Sequence, residues 1–221
     1  EDTSVFERYM YVALKYFEKQ KVDIAVIETG IGGAMDCTNI IWPSVCACTT
    51  IGVDHENVLG SDICGIAVQK AGICKPNVPM VLYPAQEYET RIAFAKECDR
   101  LGGQLHDLYG VKVLIKKKED GQQITYALQG FRNKDINLKL IGRHQAYNAL
   151  TAAYAAWLLN GRGLKIGLHH LKQGLENARW YGRLEMIHNN PDIIMDGAHN
   201  PQALRSLKTA LDDYYPDRDI V

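Results

Sequence analysis

Asp196 and His199 stand three positions apart in the run Asp196-Gly197-Ala198-His199-Asn200-Pro201. The apolar Ile193-Ile194-Met195 before them predicts a short buried strand, bounded by Pro191, with Asp196 at its carboxyl end. Asn200 is a strong helix N-cap, and Pro201 suits the first helical turn, where its missing N–H is not needed. Strand, polar turn and capped helix make the crevice in which α/β proteins bind ligands. An acid and an imidazole placed there can touch a nucleotide or a phosphoryl intermediate. An ordinary capped strand-to-helix turn has the same pattern.

Other strand ends carry similar residues. Val22 to Glu28 is nearly all apolar, as in a parallel strand buried on both faces, and ends in Glu28 ahead of Thr29-Gly30-Ile31-Gly32-Gly33. A carboxylate there could hold Mg2+ on a phosphate, since Mg2+ takes few protein oxygens and keeps water and substrate phosphates. A flexible turn after a strand is the plainer alternative. Asp54-His55-Glu56 follows a second predicted strand. His55 there suits a metal ligand, a phosphate contact or a hydrogen-bonded surface residue. Parallel strands present their carboxyl ends on one side, so Glu28 and His55 are expected close together. Lys70 falls near the end of a predicted helix stopping at Gly72, where a solvated lysine is favoured by the helix dipole. Gln145 and Asn148 share a helix face, and their amides could read an adenine edge or act as surface groups. No G-x-x-x-x-G-K-[ST] phosphate loop occurs in these 221 residues.

The elements that must position these residues alternate. A capping box at Ser4-Val5-Phe6-Glu7 opens a helix to about Gln20. Strands are predicted at Val22–Glu28, Val45–Gly52 and Val78–Tyr83, with a helix at Glu87–Leu101. The pattern predicts an α/β fold with a mostly parallel sheet flanked by helices. Val111–Lys117, Ile124–Leu128 and Ile136–Ile141 read as a small antiparallel subsheet. Helices at Gln145–Asn160 and Ile166–Ala178 follow. Arg179 to Arg183 reads as a linker, and Leu184 onward as a new βα unit.

At 221 residues and 47% hydrophobic, the chain can fill one core and part of a second domain. A net charge of −1 gives no broad surface for nucleic acid or anionic membrane. No apolar run is long enough to span a bilayer, and no signal peptide opens the chain. Cys37, Cys46, Cys48, Cys64, Cys74 and Cys98 form no C-x-x-C pair and read as buried or half-buried free thiols of a reducing cytoplasm, with a disulfide pair or a zinc site as the lesser alternatives. The missing initial Met and the opening of a further strand at Ile220-Val221 make an internal fragment the expectation.

Together these motifs resemble one family. Glu28-Thr-Gly-Ile-Gly-Gly-Ala-Met-Asp-Cys-Thr-Asn39 is similar to the E-x-G-x-G-G-R-x-D-A-T-N segment of the folylpolyglutamate and dihydrofolate synthases. Thr50 to Gly60 resembles their S-I-G-x-D-H-x-x-x-L-G, and Gln69 to Pro76 their E-K-A-G-I-x-K-P. Gly142 to Ala149 matches G-x-H-Q-x-x-N-A, Tyr181 to Glu185 resembles P-G-R-x-E, and Asp196 to Pro201 is D-G-A-H-N-P. The six motifs occur in family order.

The resemblance implies a Mur-ligase-like protein. Residues 1–182 would be the central ATP-binding catalytic domain without its N-terminal part. Residues 183–221 would begin a Rossmann-like glutamate-ligase domain. The implied activity is ATP-dependent joining of L-glutamate to a folate or dihydropteroate carboxylate through an acyl phosphate. By motif position, Glu28 and His55 would bind Mg2+, and Lys70 would carry a carbamate. Asn148, Arg183 and Asp196 would contact ATP, and His199 would lie at the acyl-phosphate site. The implied partners are small molecules only, and the implied state is a cytoplasmic monomer. Ala34, Tyr181 and Gln69 depart from the family's Arg, Pro and Glu. The competing readings are a Mur-type ligase of cell-wall precursors and a non-catalytic nucleotide-binding paralogue.

Overall fold

The computed structural model describes residues 3–54, 56–128 and 130–220. Helix α1 spans Val5–Gln20 and begins on the expected capping box: Glu7 N–H donates to Ser4 Oγ, and Ser4 N–H donates to Glu7 Oε2. A parallel sheet follows in the order β1 (Cys46–Cys48), β2 (Met80–Leu82), β3 (Leu105–Asp107). Between β1 and β2 lie α2 (Glu56–Leu59) and α3 (Ile63–Ala71), and between β2 and β3 lies α4 (Tyr88–Arg100). An antiparallel meander of β4 (Val113–Lys118), β5 (Gly121–Leu128) and β6 (Phe131–Leu138) comes next. Helices α5 (Arg143–Leu158) and α6 (Leu168–Asn177) follow, then the hairpin β7 (Glu185–His188) and β8 (Ile193–Met195), and finally α7 (Pro201–Tyr214).

The layers follow from the period of two along β2, where successive side chains point to opposite faces. Met80 and Leu82 join Ile66, Phe94 and Cys98 in the core beneath α3 and α4. Val81, between them, joins Ala146, Leu150 and Tyr154 of α5 on the other face. The same core takes in Ile124, Phe131 and Ile136 of the meander, with the Phe131 ring edge-on to Tyr154. A helix packed between a sheet and a meander needs small residues for close approach. The run Ala146, Ala149, Ala153 supplies them.

Three details differ from the expected pattern. Val22–Glu28 forms no strand, and Val26 is 90% exposed. A buried parallel strand needs a hydrogen-bonded neighbour and cover on both faces, and among the described residues this segment has neither. Conversely, β3 carries no apolar run to announce it. Its polar residues find partners instead: the His106 ring nitrogen Nδ1 lies 3.1 Å from Tyr154 Oη, and Arg91 Nε donates to Asp107 at 2.7 Å. The middle strand of the meander also begins earlier than its apolar pattern. β5 opens at Gly121, and fully buried Gln122 donates to the carbonyls of Leu140 and Gly142. No described helix is long and apolar enough to cross a membrane.

Candidate active site

The predicted turn after β8 forms as expected, but the strand is not buried. Ile193 and Met195 are 45% and 44% exposed, because β8 forms an antiparallel hairpin with β7 that leaves these side chains uncovered. Asn200 Oδ1 accepts from Ala203 N–H at 2.8 Å, and Pro201 opens α7. Asp196 ties two turns together: it accepts from Leu184 N–H at 2.9 Å and from Ala198 N–H at 2.8 Å. Gly182, at φ 66°, accepts from Gly197 N–H, and its own N–H donates to Glu185. The left-handed backbone explains a glycine there. Tyr181-Gly-Arg-Leu-Glu185 and Asp196-Gly-Ala-His199 are therefore one hydrogen-bonded unit.

This unit reaches the carboxyl edge of the parallel sheet. Asn200 Nδ2 donates to Asp54 at 2.9 Å, and His199 Nε2 lies 3.7 Å from the same carboxylate. The other ring nitrogen of His199 lies 2.9 Å from Gly197 carbonyl oxygen, which can only accept, so Nδ1 carries the proton. Gln202 Nε2 donates to Thr50 Oγ1 at 2.9 Å. The loop that receives these contacts is clamped from below by buried Gln86, which accepts from Ile51 N–H and donates to Thr49 carbonyl. Nothing in the sequence signals Gln86 beyond its place just after the strand at Val78–Tyr83. His55 lies outside the described residues, so its expected proximity to Glu28 does too.

The second grouping surrounds the start of α5. Gly142, at φ 98°, leaves the first turn without a side-chain cap. Asn148 donates to Gln145 at 3.2 Å, so the two amides do share a face. His144, partly buried, feels the charges of both Asp196 and Arg183. Exposed Arg183 makes one long hydrogen bond, 3.3 Å, to Gly182 carbonyl, and its guanidinium lies against Gly197. The Arg183–Asp196 turn thus faces the end of α5 that carries Gln145 and Asn148.

Burial pushes the His144 imidazole below its usual 6.5; Asp196 opposes this and Arg183 adds to it. The folded state then binds fewer protons than the unfolded chain in mildly acidic solution. Stability from this group is complete above about pH 6.5 and falls as pH drops through it. Thermal melts between about pH 7.5 and 5.5 should show that fall, and His144→Asn should flatten it. An unchanged slope in the variant would remove His144 from the account.

Glu28 is exposed and irregular in backbone, and no described contact joins it to the other candidates. Lys70 is half-buried on α3, close enough to Cys48 of β1 to oppose the effect of burial, which still pushes that thiol up to about 12. The glycines between them serve packing. Ala34 N–H donates to Gln69 carbonyl at 2.8 Å, and Asn39 Nδ2 donates to the carbonyls of Ala34 and Gly72. A Cβ on Gly33 would sit 2.8 Å from both Gln69 and Lys70 carbonyl oxygens, and one on Gly72 would run into Ala34. The loop itself is held by Asp36. Burial raises this carboxyl, but hydrogen bonds from Thr38, Ile31 and Gly30 outweigh it and keep it below its ordinary range. Gly33→Ala should cost about 1–3 kcal/mol in urea unfolding, because main chain, not a flexible side chain, must move. A neutral result would mean that the two loops do not pack so closely.

An open dish of about 210 Å³ on the meander, lined by Lys118, Asp120 and Asn137, holds none of the candidate residues.

The description of the Mur ligase middle domain matches residues 9–156. The chain belongs to the Mur ligase family. Within it, this Mur ligase chain is 35% identical over 206 residues to the dihydrofolate synthase/folylpolyglutamate synthase of Bacillus subtilis, covering 91% of this chain and 48% of the relative. It is also 35% identical to the folylpolyglutamate synthase of Lacticaseibacillus casei, over 93% of this chain and 49% of that protein. A solved FPGS–AMPPCP–folate complex superposes with a TM-score of 0.94 at 34% identity, covering 99% of this chain and 54% of that one. The Mur ligase chain thus spans about half the length of the curated relatives it matches.

Proposed function

We propose that this chain is the nucleotide-handling part of an ATP-dependent ligase that joins L-glutamate to the carboxylate of a folate or dihydropteroate. The observation that carries the reading is the docking of the Asp196–Pro201 turn on the carboxyl edge of the parallel sheet, through Asn200 to Asp54. Residues 1–182 supply the ATP-binding domain, and 183–221 open the glutamate-ligase domain. ATP lies between them, with Gln145 and Asn148 at the base, Asp196 at the ribose, and Arg183 at the phosphates. His199, held beside Asp54, faces the acyl phosphate formed when the substrate carboxylate takes the γ-phosphoryl group. The glutamate amine then attacks that acyl carbon and releases phosphate. Such transfers depend chiefly on positioning and charge neutralisation.

Among the described residues no three His, Cys, Asp or Glu cluster as metal ligands. The oxygen donors fit a hard cation all the same: a carboxylate at Glu28 and, after carbamylation, an oxygen pair at Lys70 suit Mg2+ that keeps water and phosphate ligands, with the His55 imidazole a softer ligand that only the family pattern implies. When bound, Mg2+ would neutralise phosphate charge.

The test is ATP- and glutamate-dependent ligation by the full-length protein, with dihydropteroate and tetrahydrofolate compared as acceptors. Product from either supports the reading. ATP binding without ligation of any acceptor would favour a nucleotide-binding paralogue. The 221-residue chain alone, which holds no phosphate loop, is expected to bind ATP weakly and to show no turnover.

A further inference from the structure

Cys74 and Cys98 lie with their sulfurs 3.7 Å apart, each buried, with 6% and 3% of its surface exposed. Cys74 follows the turn at the end of α3, and Cys98 sits in the last turn of α4. The other buried thiols are committed elsewhere. Cys46 donates to Ile73 carbonyl, and Cys48 donates to Thr49 carbonyl and accepts from Gln86. Cys74 and Cys98 have each other.

We propose that Cys74 and Cys98 are a redox-active dithiol, closed to a disulfide by a small peroxide. A disulfide needs sulfurs about 2.05 Å apart, so the pair must approach by roughly 1.7 Å. The two thiols share one S–H···S contact in which either sulfur can be the donor. Either sulfur can take the first part, and the steps are equivalent with Cys74 and Cys98 exchanged. With Cys98 first, its thiolate displaces hydroxide from hydrogen peroxide: the S–O bond forms, the O–O bond breaks, and Cys98 becomes a sulfenic acid. The Cys74 sulfur then attacks the Cys98 sulfur. The S–S bond forms, the S–O bond breaks, and water leaves with the Cys74 proton. Two thiols and one peroxide give one disulfide and two waters.

The site has a consequence for the loop above it. The two cysteines are 24 positions apart. Their bond would fasten the turn after Lys70, on which Gly33 and Ala34 are packed, to α4. Burial restricts the reaction to an oxidant of peroxide size, admitted by local opening.

The test is peptide mapping of the purified chain after hydrogen peroxide, with alkylation of remaining thiols in denaturant. Exposed Cys64 reports that the oxidant has acted. The expected product is a Cys74 peptide joined to a Cys98 peptide, lighter than their sum by two hydrogens and separated again by dithiothreitol. In Cys98→Ser, Cys74 should be recovered as the alkylated thiol. Recovery of both wild-type cysteines alkylated, at a dose that oxidises Cys64, would overturn the proposal. So would a Cys74–Cys46 peptide in place of the Cys74–Cys98 one. The wild-type map stands by itself if the variant fails to fold.

Discussion

Arg183→Ala in the full-length protein is expected to lower kcat by on the order of 1,000-fold, with a much smaller change in KM for ATP. The reasoning begins with what holds the side chain. Arg183 is exposed, and its one described hydrogen bond is the long contact to Gly182 carbonyl. Most of its donor fork is uncommitted. A planar fork of this kind matches two phosphate oxygens at once. If its phosphate contact becomes complete as charge moves during transfer, the loss appears in kcat rather than in binding. Lys at this position should restore little, because a point charge does not reproduce the fork. Steady-state kinetics of the Ala and Lys variants decide this. An equal loss in both KM and kcat/KM with unchanged kcat would make Arg183 a simple binding contact. Asp196→Asn is a useful contrast. Its carboxylate already accepts from Leu184 and Ala198 N–H groups. An amide NH2 would face one of those donors, so the variant should lose about 1–3 kcal/mol of stability as well as raise KM for ATP. Kinetics of this variant need a melt beside them.

Lys70→Ala is expected to reduce kcat on the order of 10- to 100-fold while leaving the melting temperature nearly unchanged. The two halves of that expectation rest on different atoms. The structural contribution of this position is its carbonyl oxygen, which crowds Gly33, and the Gln69 carbonyl beside it, which accepts from Ala34. Alanine keeps both. The side chain, half-buried near Cys48 at the sheet, is the group that would carry the proposed carbamate. Carbamylation requires the neutral amine and yields an anion able to orient a metal. A small carboxylate such as acetate, or bicarbonate, should therefore restore part of the activity of the alanine variant. Wild-type activity in that variant would return Lys70 to the role of a solvated lysine at a helix end.

Much of this arrangement was legible because it is local. Asn200 and Pro201 announce the start of α7 through the chemistry of orphan N–H groups, and the helix begins there. Ser4 and Glu7 do the same for α1. Asp196 was legible as a strand-end acid, but its bond to Leu184, across a hairpin, was not. The meeting of Asn200 with Asp54 joins residues 146 positions apart, and no spacing rule carries that far. The glycines after Glu28 read equally as a phosphate cradle or as a flexible turn. The structure gives Gly33 a third role, close passage beneath α3. Val22–Glu28 shows the limit of hydrophobic pattern: apolar residues specify a wish for cover, and only a neighbouring strand makes them a strand. β3 shows the converse, since His106 and Asp107 are admitted to a sheet by their hydrogen-bond partners rather than by their own polarity.

Helix α7 rests on the remainder of the chain at both ends. At its start, Asn200 and Gln202 hold Asp54 and Thr50. At its finish, Tyr214 Oη donates to Gln122 at 2.9 Å, and Lys117 donates to Asp213 carbonyl. A helix of 14 residues is about 21 Å long. Pivoted at Tyr214, it would act as a lever. A tilt of about 3° about that pivot carries the far end through about 1 Å, enough to stretch a 2.9 Å hydrogen bond past its useful range. His199, one residue before Asn200, rides on that far end. A motion that uncouples the imidazole from the sheet edge would thus be far smaller than a domain swing, and its fulcrum would be Gln122, which is bonded to the Gly142 carbonyl at the start of α5.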